Sequence, residues 1–276
     1  MRLAGKICVV TGASSGIGKA TAAGLASLGA TVVLACRDRI KGESALYAIR
    51  TGAKSQSVHL MDLDLASLRS VRAFAPTFQS RFERLDILVN NAAIVSRARR
   101  VTEDGFELQF GVNHLGHVAL TLDLLPMLER SSDPRVIGVS SELHRAGRIA
   151  WDDLQSEAGY GMMRAYAQSK LANLLFIREL AKRAPGVAAF ALHPGGAATN
   201  IMRDAPRLMR LTTRLFAGTS AKAAATPISL ASANIEDLTS GNYYRDGKTV
   251  RPSLAASDDE SARRLWEVSK NLVSIG

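Results

Sequence analysis

Short runs rich in β-branched and apolar residues, at 7–11, 31–35, 57–60, 86–90, 136–140 and 187–192, alternate with longer stretches of helical periodicity. The helical stretches fall at 16–28, about 42–50, 66–82, about 104–129 and about 164–183. Strand and helix in strict alternation, with short connections, predict an α/β fold: a Rossmann-type, doubly wound parallel sheet with helices on both faces. After residue 192 the pattern continues as helical stretches and a short strand near Tyr243. Sheets of this kind bind ligands outside the carboxyl ends of their strands.

With 276 residues, 47% of them hydrophobic, and no linker or low-complexity tract, the chain is expected to be a single domain over 1–276. No apolar run reaches the 18 residues of a membrane span, because Asp123 and Pro126 interrupt the best candidate at 118–128. The N-terminus runs directly into the first strand without a signal peptide, and Cys8 and Cys36 lack ligand-like spacing. A cytoplasmic protein is expected. The net charge of +10 raises nucleic acid as a partner, but the arginines are spread along the chain and lack interleaved aromatics, so no nucleic-acid partner is expected. Arg203, Arg207, Arg210 and Arg214 share one helical face, which is either simply solvated or attracts an anionic substrate or a lipid surface. No metal is expected, since His114 and His117 are the only pair at a ligand-like spacing.

The first strand leads into Thr11-Gly12-Ala13-Ser14-Ser15-Gly16-Ile17-Gly18, a glycine-rich turn that opens a helix. Glycines let a backbone approach a pyrophosphate closely, and the helix start offers unpaired N–H groups and a positive dipole end. Gly12, Ser14, Ser15, Gly16, Ile17 and Gly18 are therefore candidate cofactor-binding residues. An NAD site usually carries an acidic residue at the end of the second strand. Here that end reads Leu34-Ala35-Cys36-Arg37-Asp38. Arg37 suits a 2'-phosphate through charge-assisted hydrogen bonds, which predicts NADP(H); the alternative puts Asp38 on the ribose and leaves Arg37 in solvent.

Tyr166 and Lys170 lie four residues apart on one helical face, a phenol beside an ammonium. A cation that stabilises the phenolate lowers the phenol from about 10 towards the working pH, where acid–base catalysis is efficient. Such a pair suits proton transfer at a carbonyl oxygen receiving a hydride. Ser140 and Ser141 place hydroxyls at the end of the fifth strand, where one can hold that oxygen. Asn113 sits in a helical pattern where an amide has poor propensity, so it either bonds neighbouring backbone or holds a water joining Lys170 to solvent.

With these residues the chain resembles a short-chain dehydrogenase/reductase, most closely the retinol-dehydrogenase-like branch. The likeness also rests on Asp62-Leu63, Asn90-Asn91-Ala92, Gly111-Val112-Asn113-His114-Leu115-Gly116-His117, His193-Pro194-Gly195 and the late segment 262–269. It implies a catalytic set of Asn113, Ser141, Tyr166 and Lys170, a cofactor half of about 1–140 and a catalytic and substrate half of about 141–276. It also implies Asp62 and Leu63 beside the adenine and Asn90 and Ala92 in the cofactor cleft. Tyr166, Lys170, Pro194 and Gly195 would line the same cleft, with Thr199 on the nicotinamide carboxamide. A homodimer or homotetramer built on the helices at about 104–129 and 164–183 is implied by the same likeness. Ala93 replaces a usual glycine, and the membrane anchor of many relatives is missing, so retinoid activity is not implied. Peripheral membrane contact stays open.

The expected function is reversible hydride transfer between nicotinamide and a small-molecule carbonyl or alcohol. The rival is an NADPH-binding sensor or scaffold without turnover. A serine hydrolase is set aside, because Glu142 stands where the nucleophile elbow needs its second glycine. Substrate choice is expected to lie in 94–100 and 199–217.

Overall fold

A computed structural model describes residues 2–195 and 219–274. One eight-stranded sheet runs through it in the order β3-β2-β1-β4-β5-β6-β7-β8. The strands are β1 (Ile7–Thr11), β2 (Thr31–Cys36), β3 (Val58–Asp62), β4 (Ile87–Asn90), β5 (Arg135–Val139), β6 (Ala188–His193), β7 (Tyr243–Arg245) and β8 (Lys248–Thr249). Neighbours from β3 through β7 are parallel, and β8 returns antiparallel to β7. The order reverses between β1 and β4, which opens a crevice at the carboxyl ends of these two strands.

Side chains alternate across the sheet, so each strand feeds two cores. Val9, Val33, Leu88, Val136 and Ala189 face one layer; Cys8, Val32, Val89, Ile137 and Phe190 face the other. The first is covered by α3 (Leu68–Gln79), α5 (Gly116–Leu128), α6 (Met162–Arg183) and α8 (Asp259–Ser274). The second is covered by α1 (Gly16–Ser27), α2 (Arg39–Ala53) and α7 (Ser220–Ser232). Asp38, Ser67 and Thr219 cap α2, α3 and α7 by accepting from backbone N–H groups. Among the described residues no helix is long and apolar enough to cross a membrane.

Two elements differ from the expectation. The helix expected from about 104 starts later, because Gly105 at φ 85° closes a turn and Val101 bridges Glu107. The chain then forms α4 (Leu108–Phe110), a π-helical turn at Gly111–Leu115, and α5. Beyond Tyr243 there is a hairpin rather than a lone strand, turned by Asp246 and Gly247, both at positive φ.

Candidate active site

A cleft of about 560 Å³ opens at the crossover of the sheet. Gly12, Ser14, Ser15, Gly16, Ile17 and Gly18 form one wall. Gly12 and Gly16 adopt φ of 65° and 56°, values costly for any residue with a Cβ. A Cβ on Gly18 would stand 2.4 Å from Asn91 Nδ2 and 2.5 Å from the Gly12 carbonyl oxygen. Ser15 occupies the N-cap of α1, but its side chain makes no capping hydrogen bond, and the first turn contains no acidic residue. The N–H groups at the start of α1 are thus left to the cleft, a cradle that fits a pyrophosphate.

At one end Arg37 and Leu63 line the cleft, joined by Asp38, Lys41 and Asp64. Neither Lys41 nor Asp64 is a candidate from the sequence. The Asp38 carboxylate accepts from the Lys41 backbone N–H at 3.0 Å and also binds the Lys41 ammonium. Lys41 holds this exposed carboxylate below its usual range. Asp38 is thereby engaged by its own helix, and Arg37 is exposed with no ion pair among the described residues. Asp62 does not line the cleft: its carboxylate accepts from Arg39 at 3.2 Å, on the exposed flank of β3.

Asn90 is a second correction. Strand alternation turns it into the core layer of Leu88, where Nδ2 donates to Thr121 Oγ1 at 2.8 Å. Asn91, one residue on, lines the cleft with Ala92. Asn91 Nδ2 donates to the Thr11 carbonyl at 2.7 Å, and the Asn91 and Ala92 backbone N–H groups both donate to Thr11 Oγ1 at 2.9 Å.

At the other end Ser141, Tyr166, Lys170, Pro194 and Gly195 come together. Thr199 lies outside the described residues, as does the arginine face at 203–214. Tyr166 is 7% exposed and Lys170 is 1% exposed. Lys170 Nζ donates to the Val139 carbonyl at 3.0 Å and stands 5.6 Å from the Tyr166 ring centroid. Burial pushes Lys170 down to about 7. Burial also pushes the Tyr166 phenol well above its usual value, opposed by a hydrogen bond with Ser141. The expected lowering of the phenol is therefore not produced by protein groups alone, because desolvation outweighs the hydrogen bond with Ser141.

Asn113 lies behind the cleft, fully buried in the π-helical turn. Its Oδ1 accepts from the Ile94 N–H at 2.8 Å; its Nδ2 donates to the Ile94 carbonyl at 3.0 Å and to Ser169 Oγ at 3.1 Å. Both N–H groups of the amide and one acceptor site of its oxygen are taken by protein, which is the bracing role among the two expected. His144 grips Ser141 from below: its Nε2 accepts from the Ser253 N–H at 3.1 Å, so Nδ1 donates to the Ser141 carbonyl at 2.7 Å. Ile94, Val95, Leu143 and Met163 supply apolar wall near Tyr166. Arg97, Arg99 and Arg100 do not line it, and Arg99 is tied to the Gln155 carbonyl and Glu157.

The family described as short chain dehydrogenase matches residues 6–208. The chain belongs to that family. This short-chain dehydrogenase is 45% identical over 280 residues to retinol dehydrogenase 12 of Homo sapiens, covering 100% of this chain and 88% of that one. A crystal structure of a Mycobacterium paratuberculosis protein aligns with a TM-score of 0.81 at 38% identity, covering 98% of this chain and 94% of the other. The Pseudomonas aeruginosa RhlG/NADP active-site complex aligns with a TM-score of 0.70 at 28% identity, covering 87% and 94%. Membership makes the chain an oxidoreductase of alcohol and carbonyl groups that uses a nicotinamide cofactor.

Proposed function

We propose that this short-chain dehydrogenase is an NADP(H)-dependent carbonyl reductase, with Tyr166 as its general acid. The observation that carries the reading is convergence: the Tyr166 phenol and the Ser141 hydroxyl face the same cleft as the uncapped start of α1 and the exposed Arg37. When bound, the nicotinamide supplies the hydride in reduction and, once oxidised, carries a positive charge.

Each protein group has a separate task. Ser141 and Tyr166 hold the substrate oxygen by hydrogen bonds, and Tyr166 donates its proton as charge develops there. Lys170, anchored by the Val139 carbonyl, is poised near neutrality and can return a proton towards the phenol. Arg37 and Lys41 supply positive charge where a 2'-phosphate would lie, while Asp38 is occupied by Lys41. The apolar wall of Ile94, Val95, Leu143 and Met163 favours a substrate whose carbonyl is carried on an apolar body.

The test is a panel of apolar aldehydes and ketones, monitored by loss of reduced-cofactor absorbance with NADPH and with NADH. Turnover with a higher kcat/KM for NADPH is expected. Tight NADPH binding without turnover on any carbonyl or alcohol would instead identify a cofactor-binding sensor.

A further inference from the structure

His117 is the second residue of α5 and is 3% exposed, behind the cleft rather than in it. Its Nδ1 stands 3.1 Å from the Asn113 carbonyl oxygen and its Nε2 stands 2.9 Å from Thr11 Oγ1. A carbonyl only accepts, so Nδ1 carries the hydrogen and Nε2 must accept the Thr11 hydroxyl proton. The oxygen of Thr11 is then free to take both the Asn91 and the Ala92 N–H groups at 2.9 Å. On its other side the chain of contacts runs through Asn113 to Ser169, whose hydroxyl donates to the Tyr166 carbonyl at 2.8 Å. Burial keeps the ring neutral by lowering it to about 4, so one tautomer persists at working pH.

We propose that His117 is a positioning residue that locks the Asn91–Ala92 turn of the cofactor cleft to the Asn113 backbone behind the catalytic helix. The role rests on the cleft being a nicotinamide site. Without an acceptor at the Nε2 position, the Thr11 hydroxyl has the Val89 carbonyl at 3.4 Å, a longer bond that turns its hydrogen, and with it the lone pairs that take the Asn91 and Ala92 N–H groups. The imidazole joins the two sides because it is a donor and an acceptor on one rigid ring. An amide also carries a donor and an acceptor, but Asn reaches only as far as the Nδ1 position and Gln places its polar end at the Nε2 position, so neither spans both partners.

That difference supplies the test. In His117→Asn the amide N–H takes the place of Nδ1 and keeps the Asn113 carbonyl, but the side chain stops short of Thr11. In His117→Gln the amide oxygen reaches towards Thr11, and the Asn113 carbonyl loses its partner. Losing one neutral hydrogen bond corresponds to about a tenfold change. His117→Asn is therefore expected to raise the KM for NADPH by about that factor with kcat held, and His117→Gln to lower kcat with KM held. Hydrogen exchange at the Asn91 and Ala92 amides, measured on the protein alone, is expected to accelerate in His117→Asn only. Wild-type KM, kcat and amide protection in both variants, with changes confined to Tm, would overturn the proposal. An absence of NADPH turnover in the wild-type protein would strike the carbonyl-reductase reading instead, and the exchange measurement would still decide the role of His117.

Discussion

Tyr166 and Lys170 are moved by burial in opposite directions, the phenol up and the ammonium down to about 7. A phenol held protonated at neutral pH suits a proton donor. Reduction should accordingly decline from neutral pH into the mildly alkaline range as Lys170 loses the proton it returns to the phenol, whereas alcohol oxidation, which needs the phenolate, should rise with pH. Parallel pH profiles in the two directions would refute this. The same burial has a stability sign. Lys170 titrates near 10.5 when unfolded and near 7 when folded, so the unfolded chain binds more protons between those values and stability rises with pH across that window. Lys170→Met should lack this rise and be more stable than wild type at pH 6 to 7, by about 3 °C or more in Tm, while losing turnover. Calorimetry at two pH values checks it; a lower Tm for the variant at pH 6 contradicts it. Tyr166 and Lys170 are legible in the sequence through their spacing, whereas strand position leaves Ser140 and Ser141 open and only the family resemblance selects Ser141. Asp62, Asn90 and Lys41 are not legible: which of two adjacent residues faces a cleft depends on strand register, and Lys41 enters through the capping geometry of Asp38.

Among the elements, the glycine turn and α1 carry the sharpest steric requirement. A methyl on Gly18 meets the Gly12 carbonyl oxygen and the Asn91 amide, and the carbonyl is backbone that cannot swing away. Gly18→Ala should cost about 1–3 kcal/mol of stability and weaken NADPH binding. Gly52→Ala, in α2 with nothing within 4 Å, is the control and should be neutral or stabilising by up to about 1 kcal/mol. Denaturant titration of both variants separates these outcomes; equal stabilities would remove the steric argument. Strands β1 to β6 are legible from their apolar runs. The π-helical turn is not, since periodicity over 104–129 cannot distinguish one extra residue per turn from a continuous helix. The final hairpin does carry a sequence signal in Asp246-Gly247, the dipeptide of a tight turn, although a lone strand was expected there.

For the molecule as a whole, α8 seals the outer side of α6. Trp266 stacks on Phe176 at 5.4 Å and lies under the Arg183 guanidinium at 5.2 Å. Arg264 of the same helix stands 4.2 Å over Trp151, pinning the long connection between Ser141 and Tyr166. Every residue of α6 from Ala165 to Ile177 is buried within the chain. Trp266→Ala should destabilise by about 3 kcal/mol or more, seen as a lower midpoint in thermal unfolding; an unchanged midpoint would show that α8 is only loosely attached. The central claim is that the Tyr166 hydroxyl protonates an oxygen beside a carbon receiving hydride in this cleft. It is tested most directly by incubating wild type and Tyr166→Phe with NADPH deuterated at the transferable position and an apolar aldehyde, then weighing the alcohol formed. Deuterium in the wild-type product, almost none from Tyr166→Phe, and matching NADPH affinities are expected. Transfer by Tyr166→Phe at the wild-type rate, or none by the wild type with any carbonyl, contradicts it.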